Sequence, residues 1–370
     1  MNTSAILEAL KKYDFSFFGI CAAIFLMGVV NLYSATHASV SSQMANLYKV
    51  QIGRYLVSLL IGVVISFIQP KNFLRFSWLI YGVNIFLLIL VLILGHKGMG
   101  AQRWLIIGPI RIQPSEFMKL SSILVLARWY SKRDPDKELG FKQLIIPFLI
   151  AFIPTLLIVV EPDLGTGLLI LLIFFVISFY RKLKWKTIAI LAIIGVISGG
   201  IMYQFGLKEY QKRRIVTFLN PAADAKGSGY NAIQSKIAIG SGKVIGKGFK
   251  KSSQASLSYL PENHTDFVFS IFNEEHGFVG SLFLITLFIV LFYRFIWLAQ
   301  SVPKIYESIV IIGIMSIFFW HTFINMGMVT GIMPIVGLPL PMMSYGGSSL
   351  LTFGMCCGIA TSISNSRNLF

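Results

Sequence analysis

The sequence contains few charged residues and little cysteine. Only 13% of its 370 residues are charged, whereas a soluble domain carries about a quarter. The three cysteines, Cys21, Cys356 and Cys357, lie inside apolar runs and show neither a disulfide framework nor the spacing of metal ligands. These shortages exclude an ordinary soluble protein and a small secreted one held together by disulfides.

Other common signals are missing as well. The first apolar run, residues 15–32, is too long for a secretory signal peptide and lacks its small-residue cleavage site, so it predicts a span that stays in the membrane. No soluble basic domain accompanies the net charge of +17, which argues against a nucleic acid partner. Orientation signals and anionic lipid or phosphate partners explain the charge better.

Apolar runs of about twenty residues recur along the whole chain, which is 55% hydrophobic with a mean hydropathy of +0.74. They predict an all-α polytopic membrane protein with about ten transmembrane helices. The expected spans are residues 15–34, 50–68, 73–95, 115–130, 142–160, 164–180, 187–205, 267–299, 308–329 and 346–363. The eighth is long for one crossing, and Gly277 and Gly280 are expected to break it.

Residues 1–370 are expected to form one membrane domain with a large loop at 206–265. Lysine and arginine are more frequent in the short connections on the side of both termini, which places the termini in the cytoplasm and the loop outside. Broken helices are expected on the outer side at residues 98–114 and 333–341. The unusual polar chemistry therefore gathers at one face of the membrane.

The end of this loop carries Glu262, His264 and Asp266 immediately before an apolar helix. Ionisable groups at the boundary between water and lipid are unfavourable and indicate function. Thr265 or Asp266 would equally well cap the helix that follows. The local sequence favours neither of these two interpretations over the other.

Polar side chains also lead into the fourth predicted span. They are Arg103, Trp104, Arg111, Gln113, Glu116 and Lys119. Glu116 and Lys119 are three residues apart on a helix, so they are expected to pair. The pair is either structural or part of the lining of a headgroup cavity. In the next outer turn, residues 161–166, Asp163 or Thr166 is expected to cap a helix.

The long loop is basic and rich in glycine, with clusters at residues 227–229, 240–242 and 246–248. Its amides and ammonium groups suit a phosphate or pyrophosphate, although the spacing is not that of a Walker A loop. Residues 233–239 predict an amphipathic helix on the membrane surface. The alternative is that the loop only contacts anionic headgroups.

Several of these segments, taken in order, resemble the SEDS family of shape, elongation, division and sporulation proteins. The matching segments are Gly100-Ala-Gln-Arg-Trp104, Gln113-Pro-Ser-Glu-Phe117, Pro162-Asp-Leu-Gly-Thr166, Gly229-Tyr-Asn-Ala-Ile-Gln-Ser235, Ile237-Ala-Ile-Gly-Ser-Gly242, Leu260-Pro-Glu-Asn-His-Thr-Asp-Phe267 and Pro339-Leu-Pro-Met-Met-Ser-Tyr-Gly-Gly-Ser348. The resemblance covers essentially the whole chain. Asn220-Pro221 and Gly246-Lys-Gly248 are more similar to the elongation branch than to the division branch.

The resemblance implies a peptidoglycan glycosyltransferase that polymerises lipid II at the outer face of the bacterial cytoplasmic membrane. The implied partners are a class B penicillin-binding protein and other membrane proteins of the elongation complex. Asp266 matches the family's catalytic acid. Polar positions around the family's cavity are matched by Glu116, Lys119, Arg103, Trp104, Arg111, Gln113, Asp163 and Glu262.

Asp266 is therefore expected to act as a general base on a sugar hydroxyl. His264 is the competing base, because its ordinary pKa is nearer neutral. Loop cations, for which Arg213, Arg214 and Lys247 are the candidates, are expected to meet the departing pyrophosphate. A divalent cation, Mg²⁺ or Mn²⁺, is the one optional cofactor. Two rival functions remain open, a flippase for the lipid-linked precursor and a scaffold without activity that holds a penicillin-binding protein.

Overall fold

The computed structural model describes residues 13–37, 44, 46–98, 101–108, 110–207, 209–224, 227–257, 259–262 and 264–369. Helices dominate the described chain. They are α1 (Ser16–Thr36), α2 (Leu47–Ser66), α3 (Pro70–Leu94), α4 (Pro114–Ser131), α5 (Phe141–Val160), α6 (Leu164–Tyr180), α7 (Trp185–Ile201), α8 (Glu209–Leu219), α9 (Ser228–Gly242), α10 (Ser253–Ser256), α11 (Val268–Ser301), α12 (Ile305–Thr330) and α13 (Ser348–Leu369). A π-helical turn, Met202–Gly206, extends α7.

All ten expected spans are helices. Within the described residues, seven helices are long and apolar enough to cross a membrane, namely α1, α2, α3, α5, α7, α11 and α12. The apolar α6 is shorter, with 17 residues. Most side chains of α4 and α13 are buried among other helices. Because protein rather than lipid covers these two helices, they can carry polar side chains within an apolar bundle.

The predicted break in the eighth span is confirmed at Gly277, whose φ of 64° and ψ of −161° are not helical. Gly280 keeps helical geometry, so the break is at one residue. The break frees backbone groups that pair with residues 243–248 of the loop. Lys247 N–H donates to Glu274 O over 2.9 Å, and Phe278 N–H donates to Lys243 O over 2.9 Å. The loop is therefore attached to α11 through backbone hydrogen bonds.

The broken helix expected at residues 98–114 is wrong, because an antiparallel sheet stands there. It has the order β1 (His96–Gly98), β2 (Ala101–Ile107) and β3 (Ile110–Ile112). In its second hairpin Leu105 pairs with Ile112, and Ile107 pairs with Ile110. The β-branched isoleucines on both sides of Gly108, where φ is +60°, favour a hairpin over a helix.

The second broken helix was predicted at residues 333–341, where the structure has no helix. Helix α12 ends at Gly331, a left-handed C-cap with φ of 82°, as glycine readily adopts. The connection to α13, residues 331–347, is called the proline-rich segment below. Its carbonyls and hydroxyls contact α2, α12 and the residues before α11. The segment therefore lies at the same end of the bundle as the long loop, and this end is called the loop end.

Aromatic packing joins the helices that carry this end. Phe17 of α1 contacts Phe295 of α11, with ring centroids 4.8 Å apart, and Phe295 contacts Phe318 of α12 at 5.5 Å. Phe318 in turn meets Phe353 of α13 at 4.9 Å. All four rings are almost fully buried. Such contacts fix the helices relative to one another beneath the polar loop end.

Candidate active site

Asp266 lies two residues before α11 and does not cap it. The N-cap position belongs to Phe267, and no side chain makes an N-capping hydrogen bond there. Thr265 directs its hydroxyl to Glu262 instead, over 2.8 Å to Oε2. No hydrogen bond from another described residue reaches the Asp266 carboxylate. The capping interpretation of Thr265 and Asp266 is therefore wrong, and the carboxylate remains available for a ligand.

The backbone around Asp266 is held by two neighbours. Asn325 of α12 donates from Nδ2 to Asp266 O over 3.0 Å and to Leu338 O over 2.8 Å. Gly337, with φ of +83°, lies against the carboxylate, so that a Cβ there would stand 3.3 Å from Asp266 Oδ2. The positive φ and the close approach both favour glycine at this position. These contacts hold the proline-rich segment beside Asp266.

The electrostatic surroundings make Asp266 a stronger base than an ordinary aspartate. Burial raises the pKa of its carboxyl to about 6, and the negative charge of Glu262 adds to the rise while Arg214 opposes it. Desolvation is the largest of these influences and disfavours the ionised form. A pKa near 6 leaves most of the carboxyl ionised at neutral pH, while the charged form still binds a proton readily.

His264, the competing base, lies in the same turn. Burial lowers the pKa of its imidazole from the ordinary value, against the influence of Glu262, so the ring is mainly neutral at pH 7. Its backbone carbonyl accepts the N–H of Tyr345 over 2.9 Å, and its ring lies edge-on to Tyr345 at 5.9 Å. The structure therefore keeps His264 next to Asp266, although its ring already packs on an aromatic side chain.

Of the two candidate loop cations whose side chains are described, Arg214 is the one whose charge acts on the Asp266 carboxyl. Arg214 donates to the carbonyls of Ile335 and Val336, over 3.2 and 3.4 Å. Lys247 is instead paired with Glu274, over 2.5 Å, and with Ser253. The side chain of Arg213 lies outside the described part of the chain. Between these two described side chains, Arg214 is therefore the one that the fold brings to the site.

The predicted pair of Glu116 and Lys119 is confirmed, with 2.9 Å between Oε2 and Nζ. The pair has a third member that the sequence did not indicate, His321, whose Nε2 lies 2.8 Å from Lys119 Nζ. Nδ1 of His321 is 3.0 Å from Pro339 O. A carbonyl only accepts, so Nδ1 carries the hydrogen and Nε2 accepts from the ammonium. This buried chain of contacts connects α4 to the proline-rich segment.

A second polar group surrounds the turn between α5 and α6. Asp163 caps α6 as predicted, accepting from Thr166 N and Thr166 Oγ1 over 3.3 and 3.0 Å. It also accepts from Gln113 Nε2 over 3.2 Å and lies 3.9 Å from Arg103 Nε. Arg103 further donates to the backbone carbonyl of Pro162. The hairpin and the α6 turn therefore form one unit.

Glu161 is the unexpected member of this unit. It is 1% exposed, and neither of its carboxylate oxygens has a hydrogen-bond partner among the described residues. Burial raises the pKa of Glu161 to about 8, and the charge of Asp163 adds to the rise against Arg103. The group is therefore protonated at neutral pH. Trp104 and Arg111 stand on β2 and β3 nearby, and Arg111 is exposed.

Sequence reasoning did not single out the residues that enclose the site from α2. Arg54 lies over the ring of Tyr345, with its guanidinium carbon 4.5 Å from the ring centroid. Gln51 donates to Ser344 O over 3.1 Å and accepts the N–H of Gly346 over 3.3 Å. Both contacts depend on how the chain returns after almost 300 residues, so no local pattern could have revealed them.

Comparison with known proteins decides the family. The family model described as Cell cycle protein, of FtsW, RodA and SpoVE, matches residues 15–369. The chain belongs to this family. The SEDS resemblance read from its motifs is thereby confirmed.

Relatives with named functions align over most of the chain. It is 38% identical to the peptidoglycan glycosyltransferase MrdB of Escherichia coli K12 over 331 residues, which are 90% of this chain and 89% of the relative. It is 29% identical to the peptidoglycan glycosyltransferase RodA of Treponema pallidum, covering 98% of this chain and all of the relative. The family match is therefore nearly full length.

Solved structures agree with this result. A chain from a study of a peptidoglycan synthase complex that coordinates polymerization and crosslinking superposes with a TM-score of 0.81, at 29% identity over 96% of this chain and 98% of that one. The rod shape determining protein RodA of Thermus thermophilus gives a TM-score of 0.72, at 28% identity over 96% and 97%. The polytopic helical fold predicted from the sequence is therefore confirmed.

Proposed function

We propose that this chain is a peptidoglycan glycosyltransferase that polymerises lipid II into glycan strands during cell-wall elongation. Relatives at 38% and 35% identity, from Escherichia coli and Helicobacter pylori, bear the name of that activity. The observation that carries the mechanism is the Asp266 carboxylate, free of described hydrogen bonds and with its pKa raised to about 6. Such a group at the loop end suits a general base.

In the proposed reaction, Asp266 takes the proton from the 4-hydroxyl of an acceptor GlcNAc. The hydroxyl oxygen attacks the anomeric carbon of the donor MurNAc as the bond from that carbon to the pyrophosphate oxygen breaks. One displacement converts the α-linked donor into a β-linked product, with inversion. A sugar hydroxyl is a very weak acid, so removing its proton during the attack lowers the barrier.

Negative charge grows on the departing undecaprenyl pyrophosphate and must be met by cations. Arg214 is placed for this because its charge acts on the Asp266 carboxyl. Its guanidinium also donates to the carbonyls of Ile335 and Val336 in the proline-rich segment. Lys247 is already neutralised by Glu274, which makes it a support for the loop in this proposal. Arg213 stays a candidate from the sequence alone.

The optional divalent ion does not fit a site made by protein alone. Within the described residues, no group of three or more His, Cys, Asp or Glu side chains could hold a metal ion. Mg²⁺ is often bound through one or two carboxylates together with substrate phosphates. An ion that takes part would therefore need phosphate oxygens of the substrate, and no step above is routed through it.

The chain is a multi-pass membrane protein of the bacterial inner membrane. We further propose that both termini are cytoplasmic and that the loop end faces outward, because basic residues concentrate in the short connections on the side of the termini. A class B penicillin-binding protein is the proposed partner. The support is that a structural relative comes from a complex coordinating polymerization with crosslinking.

One assay separates this proposal from its rivals. Purified protein in detergent, with lipid II and any required partner, should form glycan chains, whereas a flippase needs two compartments. Asp266→Asn should abolish polymerisation without loss of expression or folding. Asp136→Asn, at an exposed aspartate distant in sequence, is the matched control and should stay active. Polymer formation by Asp266→Asn at the wild-type level would refute the assignment.

A further inference from the structure

Two buried polar side chains lie one turn apart on the same face of α12. His321 and Asn325 are both 0% exposed, and residues four apart share one face of a helix. His321 Nδ1 donates to Pro339 O over 3.0 Å. Asn325 Nδ2 donates to Leu338 O over 2.8 Å. This face of α12 therefore holds two consecutive carbonyls of the proline-rich segment.

These carbonyls need side-chain donors because the backbone around them forms neither a helix nor a strand at residues 334–340. Irregular backbone is tolerated within a membrane protein only where it is buried in protein or lines a water-filled cavity. Its buried polar groups must also find partners. A hydroxyl or an amide would be enough for one carbonyl. His321 differs from both because its ring carries a second nitrogen.

The second nitrogen of His321 joins the segment to α4. Because Nδ1 carries the hydrogen, Nε2 is an acceptor, and it lies 2.8 Å from Lys119 Nζ. The Lys119 side chain is fully buried and is also paired with Glu116. A second proton on the ring would set two positive charges against each other at this distance. The contact therefore requires a neutral ring that bridges Lys119 and Pro339.

The residue before Pro339 is tied to the proposed base. Leu338 O and Asp266 O accept from the same Asn325 amide, over 2.8 and 3.0 Å. One residue earlier, a Cβ on Gly337 would stand 3.3 Å from Asp266 Oδ2. The position of residues 337 and 338 is thus coupled to that of the Asp266 carboxylate.

The residue after Pro339 is tied to the same backbone by a different route. Leu340 N–H donates to Ser344 Oγ over 2.8 Å. The same hydroxyl donates to Thr265 O, over 2.6 Å, and Thr265 immediately precedes Asp266. Pro339 therefore stands between two connections to the backbone that carries the base, and its displacement would disturb both.

We propose that His321 is a positioning residue for Asp266. By bridging Lys119 and Pro339, it keeps residues 337–340 in place, and these residues keep the Asp266 carboxylate oriented and shielded from water. The inference rests on the proposed function and makes the ion pair of α4 a support of the base. A histidine that only satisfied the buried ammonium group would leave the reaction at Asp266 unaffected.

Loss of the bridge should change two kinetic quantities. In His321→Leu, kcat should fall about tenfold or more with little change in KM, because the base loses its orientation while the substrate contacts remain. Burial is the largest cause of the raised pKa of Asp266. A loosened segment admits water, so the acidic limb of the pH–rate profile should move to lower pH. Glu262 and Arg214, the other charges that act on this carboxyl, are not altered.

Two further variants test the bridge itself. His321→Gln keeps one donor and one acceptor on a side chain long enough to reach both partners, so it should restore most of kcat and the wild-type position of the limb. Thr322→Val is the matched control in the next residue of α12. The buried hydroxyl of Thr322 has no hydrogen-bond partner among the described residues, so this change should alter neither quantity.

Folding of each variant is checked by its thermal unfolding midpoint. If His321→Leu does not fold, His321→Asn replaces it, because its shorter amide reaches Pro339 O or Lys119 Nζ but not both. Wild-type kcat and an unmoved limb in that variant would overturn the inference, and so would a glutamine variant no more active than it. Wild-type polymer formation by Asp266→Asn would instead refute the catalytic assignment, so the two failures are distinguishable.

Discussion

The buried side-chain amide of Asn325 joins the backbone of Asp266 to that of Leu338. One Nδ2 donates to both carbonyls, over 3.0 and 2.8 Å. The two carbonyls belong to segments 59 and 13 residues away from Asn325 along the chain. Through this contact, the position of the proposed base depends on α12 and on the proline-rich segment.

Asn325→Ala should therefore impair catalysis more than substrate binding. We expect kcat to fall about tenfold or more with little change in KM, because the carboxylate loses its orientation while the substrate contacts remain. The two carbonyls left without a donor should also lower stability by about 1–3 kcal/mol. Polymerisation kinetics and the thermal unfolding midpoint are the measurements. If KM rises and kcat stays constant, Asn325 does not position the base.

The pH dependence of polymerisation should report the pKa of Asp266. A general base must be ionised, so the rate should fall as pH drops through about 6, the value to which burial and Glu262 raise the pKa. Glu262→Gln removes a neighbouring negative charge and should move this limb of the profile to lower pH. Initial rates between pH 5 and 8 test the shift. Glu209→Gln, an exposed acid of the same loop, should leave the profile in place.

Stability should depend on pH through Glu161. Its folded-state pKa of about 8 lies above its ordinary value of 4.5, so the folded protein holds a proton that the unfolded chain releases. Stability should therefore decline as pH rises from about 4.5 to 8, by about 1.4 kcal/mol per pH unit at most. Glu161→Gln should remove this decline and unfold at a higher temperature than wild type at pH 8. Parallel thermal scans at pH 6 and pH 8 would show it, and equal slopes in both proteins would contradict it.

The sequence by itself determined the features that depend on local spacing. Runs of about twenty apolar residues predicted all ten long helices, because one such run matches the thickness of a bilayer. The spacing of Glu116 and Lys119 predicted their ion pair, since residues three apart share one face of a helix. A single glycine, Gly277, predicted the break in α11 because it tolerates a backbone that other residues avoid.

Only the tertiary structure decided which distant groups meet. The sequence made Lys247 a candidate phosphate ligand, but in the fold it pairs with Glu274, 27 residues away. His321 joined Lys119 across 202 residues, and Lys236 met the end of α12 under Gly331. The sheet at residues 96–112 replaced an expected broken helix. Such contacts depend on how the chain folds back on itself and on which side chains are buried together. Neither can be read from the periodicity of a helix or from the residues of a turn.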